Sequence, residues 1–100
     1  MRFVAKKPDE VIACPVDWLL ERAHSNFKGL PAFIKKSFNK DELWFGNKSI
    51  RLITEDRYIS HAEIHSNRAD KNPDWIVCKY DGLVVMSDEE FKEKYQDPFA

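Results

Sequence analysis

Between Val16 and Phe27 the apolar residues recur at three and four: Val16, Leu19, Leu20, Ala23 and Phe27. That is the helix period, because residues so spaced share one face of a 3.6-residue turn. It predicts a helix over "VDWLLERAHSNF", with Asp17 or its neighbourhood supplying an oxygen to the unpaired first amides and Lys28-Gly29 closing it. A second, shorter helix is predicted in "LPAFIKKSFNKDEL". Pro31 suits its first turn, and Phe33, Ile34 and Phe38 form its inner face. Upstream, "RFVAKKPDEVIACPV" reads as extended and is punctuated by Pro8 and Pro15. Val11, Ile12 and Cys14 suit a short strand there.

From residue 42 the period changes to two. "ELWF-GN-KSIRLI" places Gly46-Asn47 between two strand-like runs, a type II′ hairpin pattern. "SIRLITEDRYISHAEIH" suggests further strands that meet near Glu55-Asp56. "NRADKNP", residues 67 to 73, is a polar loop. "DWIVCKY-DG-LVVMS" gives a hairpin with Asp81-Gly82 in a type I′ turn, which needs positive φ at both positions. "SDEEFKEKY" opens a last helix: Ser87 and Glu90 form a capping box, acids lead, lysines follow, and Phe91 and Tyr95 stand one turn apart. The expected fold is α+β: an antiparallel β-meander of about five strands, two N-terminal helices and one C-terminal helix.

One hundred residues make a single domain, 1–100. A chain of this size buries roughly two-thirds of its unfolded surface, enough for one small core. Aromatics at 13% help fill it. The net charge of −1 gives no whole-chain field toward nucleic acid or an anionic membrane. No run is apolar enough to read as a secretory signal or a bilayer span. Cys14 and Cys78 sit in the apolar contexts "VIACPV" and "WIVCKY", where reduced, buried thiols are expected, together with a cytoplasmic location.

The closing segment "NPDWIVCKYDGLVVMSDEEFKEKYQ" resembles that of small phage- and prophage-encoded proteins of the PGDYG type. Pro73, Asp74, Trp75, Ile76, Gly82, Phe91 and Tyr95 carry the resemblance, and "KKPDEVIA" is similar to that group's usual opening. It covers about the first fifteen and last thirty residues. The glycine between Pro and Asp is missing here, since Pro73 meets Asp74 directly. The resemblance implies an origin in mobile elements and no particular activity.

Several residue sets carry candidate chemistry. In "YISHAEIHS", His61, Glu63 and His65 stand two apart and would share one strand face. Two imidazoles and a carboxylate suit zinc or iron in a metal-dependent enzyme. The plainer reading is the wet face of a strand whose core side carries Tyr58, Ala62 and Ile64. Lys35, Lys36, Lys40 and Trp44, interleaved with phenylalanines, could follow a nucleic-acid backbone, or the lysines could cover the rim of an inward-packed cluster. Neither cysteine has the flanks of a catalytic nucleophile, although His24, His61 or His65 could serve one as a base. Asp74 and Trp75 are expected to set and fill the last hairpin. The favoured function is protein binding without catalysis or cofactor, through Tyr80, Asp81, Asp88 and Glu89. Acids clustered there could imitate phosphates. The expected partner is a host or phage protein, such as a component of a host defence complex. A nucleic-acid-binding module is the alternative, and no membrane partner is expected.

Overall fold

The computed structural model describes residues 2–5, 10–65, 72–79 and 82–96. The strands β1 (Arg2–Ala5) and β2 (Glu10–Pro15) lead into helix α1 (Val16–Ser25). A 3₁₀ turn (Phe27–Gly29) and helix α2 (Ala32–Asn39) follow. Next come β3 (Leu43–Phe45), β4 (Ser49–Ile53) and β5 (Ile59–Glu63), then β6 (Trp75–Lys79) and β7 (Gly82–Met86), and finally α3 (Asp88–Lys94) and β8 (Tyr95–Gln96). The fold is α+β, with the expected two helices before the main strands and one after them.

The strands divide differently from a single meander. β3, β4 and β5 form one antiparallel sheet, whereas β6 and β7 join the N-terminal strands in a second, ordered β7-β6-β2-β1-β8. The reason lies in β6. Its run "WIVC" is apolar at successive positions, so it needs cover on both faces and a neighbour on each edge. β2 supplies the second edge, pairing Ile12 with Cys78 and Cys14 with Ile76.

The two faces of this five-stranded sheet meet different partners. Cys14, Ile76 and Leu83 face α1, α2 and the inner side of the three-stranded sheet, in a core with Val16, Leu19, Leu20, Leu30, Ile34, Leu43, Ile50, Leu52 and Ala62. Ala13, Val77 and Met86 face the other way, toward Phe91 of α3 and Tyr95. The result is three layers, with the larger sheet in the middle.

Local chemistry shifts several predicted boundaries. Helix α1 stops at Ser25 rather than running to Gly29. Ser25 Oγ bonds back to the Glu21 carbonyl at 2.8 Å, and Asn26 leaves helical geometry at φ −156°. At its start, Asp17 Oδ1 accepts from the Trp18 amide at 2.8 Å, and the Asp74 carbonyl accepts from Val16 N at 2.9 Å. Phe38, expected on the inner face of α2, is 38% exposed. The β3–β4 register pairs Phe45 with Ile50, and Gly46 N donates to the Ser49 carbonyl. The turn is therefore centred on Asn47-Lys48, one residue beyond Gly46-Asn47. In the last hairpin Lys79 pairs with Gly82, so Gly82 is the first residue of β7 and not a turn residue. The connecting residues, 80 and 81, lie outside the described residues.

Candidate functional site

The row His61, Glu63, His65 does not persist as a row. His61 and Glu63 stand exposed on the outer side of β5, opposite Arg51 and Ser49. His65 lies past the strand end, where φ of +60° turns it inward. Its side chain is 12% exposed, and its Nε2 lies 2.8 Å from Asp74 Oδ1. Nδ1 is 3.7 Å from Glu63 Oε2. Among the described residues no group of three or more His, Cys, Asp or Glu side chains is arranged to hold a metal ion. The expected core side of this strand also needs correction. Ala62 is fully buried, but Tyr58 precedes β5 at the turn and is 72% exposed. There its carbonyl accepts from the amide and hydroxyl of Thr54.

Asp74 is the polar hinge of the fold. Its Oδ2 accepts from the Glu63 amide at 2.9 Å, while its own amide donates to the Glu63 carbonyl at 2.9 Å. With the His65 contact and the Val16 bond, one buried aspartate joins β5, β6 and α1. The carboxylate replaces the strand partner that β5 lacks at this end, which explains how a charged group is tolerated at 8% exposure. Asp74 has the structural role expected of it.

The expected C-terminal binding set is split. Tyr80 and Asp81 lie outside the described residues. Asp88 is not a free surface acid: Trp75 Nε1 and Asn72 Nδ2 each donate to it at 2.9 Å, and Lys92 Nζ stands at 3.0 Å. Burial resists its ionisation, but these three partners outweigh that and hold its carboxyl below the usual value. Glu89 is exposed. Beneath Asp88, the Trp75 and Phe91 rings stack at 4.1 Å and 6°, and Tyr95 packs on Phe91 at 5.3 Å.

Both cysteines are free thiols. Cys14 is fully buried, and burial pushes its pKa up to about 11. Cys78 is half-buried and also raised by burial, with Lys36 pulling weakly against it.

Lys35 Nζ donates to the Lys28 carbonyl at 3.2 Å. Trp44 lies under the Arg51 guanidinium, 4.7 Å from ring centre to carbon, on the outer face of the three-stranded sheet. Its neighbour Phe45 alternates to the other face. Of the expected nucleic-acid set, Lys36 and Lys40 are exposed, and Lys35 and Trp44 are half-buried.

A different surface emerges beside it. Phe27, Phe38 and Phe45 converge from the 3₁₀ turn, α2 and β3, with ring centres 5.1 to 6.1 Å apart. Phe27 and Phe38 remain 37% and 38% exposed. Lys28 adjoins Phe27 in sequence, and Lys35 stands one helical turn from Phe38. The sequence grouped phenylalanines with these lysines as an inward-packed cluster, whereas Phe27 and Phe38 remain exposed at the surface. From Arg22 to Lys40 the sequence carries five lysines and arginines and no acid, and Asp41 and Glu42 follow directly, their amides bonding to the carbonyls of Phe38 and Ser37.

Comparison with known proteins finds no matching family model, no matching curated protein and no matching solved structure.

Proposed function

We propose that the chain is a small protein-binding module that acts by surface contact and not by catalysis. One observation carries this reading: the half-exposed Phe27–Phe38–Phe45 cluster, brought together by the 3₁₀ turn, α2 and β3 and flanked by Lys28 and Lys35. Aromatic anchors within a polar surround are what concentrate binding energy at protein interfaces. The side chains best suited to acid–base work support the reading from the other side. Asp74, His65 and Asp88 are each engaged in joining elements of the fold.

The working surface moves, in this reading, from the C-terminal hairpin to the 3₁₀ turn, α2 and β3. The partner remains of the class expected from the sequence, a host or phage protein met in the cytoplasm. The PGDYG-type resemblance names no target. Pull-down from bacterial lysate with wild type, Phe38→Ala and Glu89→Lys tests the proposal, with thermal melts run on each. Loss of the captured protein with Phe38→Ala is expected. Loss with Glu89→Lys and full retention with Phe38→Ala would return the surface to the C-terminal helix.

A further inference from the structure

We draw no further inference here: the strongest candidate, the outer face of the three-stranded sheet, where the cross-strand row Trp44, Arg51 and His61 lies beside the exposed Ile59, carries nothing, because the Arg51 guanidinium already lies over the Trp44 ring and nothing in the structure shows what covers the face.

Discussion

The indole of Trp75 donates to the carboxylate of Asp88 at 2.9 Å, and through that bond the first residue of β6 holds the first residue of α3. The same aspartate begins a helix whose N-cap, Ser87, accepts from the Glu90 amide at 3.2 Å. Negative charge at a helix start is favoured by the exposed amides there.

Asp88→Ala should destabilise the domain by about 1–3 kcal/mol, because it leaves a part-buried indole N–H without this partner and removes a first-turn charge. Urea denaturation would check it. Glu89→Ala, on an exposed neighbour, should fall within about 0.5 kcal/mol of wild type. Charge reversal at Asp88 consequently perturbs the fold itself, so Glu89 alone can probe the acidic surface of α3.

Asp88 also sets a pH dependence. Its folded carboxyl ionises below the usual value, so the folded state favours the charged form. The resulting stabilisation is fully present above the unfolded value of about 3.9 and is lost as pH falls through the folded one. Thermal melts from about pH 5 down to about pH 2 should show wild type losing more stability than Asp88→Asn. Parallel losses in the two proteins would assign the acid sensitivity elsewhere.

Asp74→Ala should be more damaging than Asp88→Ala, at about 2–4 kcal/mol, because two part-buried partners lose their hydrogen bond at once. It strands the Glu63 amide and the His65 imidazole at the junction of the two sheets. Asp74→Asn keeps the shape and one acceptor oxygen, so it should cost less than the alanine. A calorimetric comparison of the two variants would show whether the carboxylate or the shape matters more.

Gly82→Val should cost about 2–4 kcal/mol, read from the denaturation midpoint. Gly82 has φ of +144°, and a Cβ there would come within 3.0 Å of Glu55 Cα. The sequence locates this sensitivity in a turn, whereas the structure locates it in a strand that backs onto the β4–β5 turn.

Thiol reagent at about pH 8 should modify neither cysteine quickly until denaturant is added. At a pKa of about 11, the reactive thiolate of Cys14 is on the order of one molecule in a thousand at that pH. Cys78, half-buried, should be the first to react. Prompt labelling of Cys14 in the native protein would contradict its burial.

Elements with strong local signals were legible in the sequence. The period of Val16 to Ala23, the Ser87 cap and the Phe91–Tyr95 pair all depend on residues within one or two turns, and all are present. Sheet membership was not legible. It depends on whether Ile76 finds Cys14 or a nearer strand, and nothing local encodes that choice. The His65 departure was hidden for the same reason, since a positive φ on histidine is stabilised here by Asp74, nine residues away. The phenylalanine cluster was obscured by a reasonable prior. Phe38 fits a helical inner face by spacing, yet the short α2 buries Ile34 and turns Phe38 to the rim.

The strand order β7-β6-β2-β1-β8 encloses the N-terminal hairpin between strands from the far end of the chain. Val4 pairs with Gln96, and Ile12 with Cys78. Neither half of the polypeptide can therefore complete the central sheet alone, and pairing must wait for segments remote in sequence to meet. Topologies of this kind fold slowly for their size, since chain closure precedes its reward. The same arrangement makes the protein a natural two-piece system. Fragments divided between β5 and β6 would each lack the other's sheet neighbours, and each would acquire its full order only by assembling with the other.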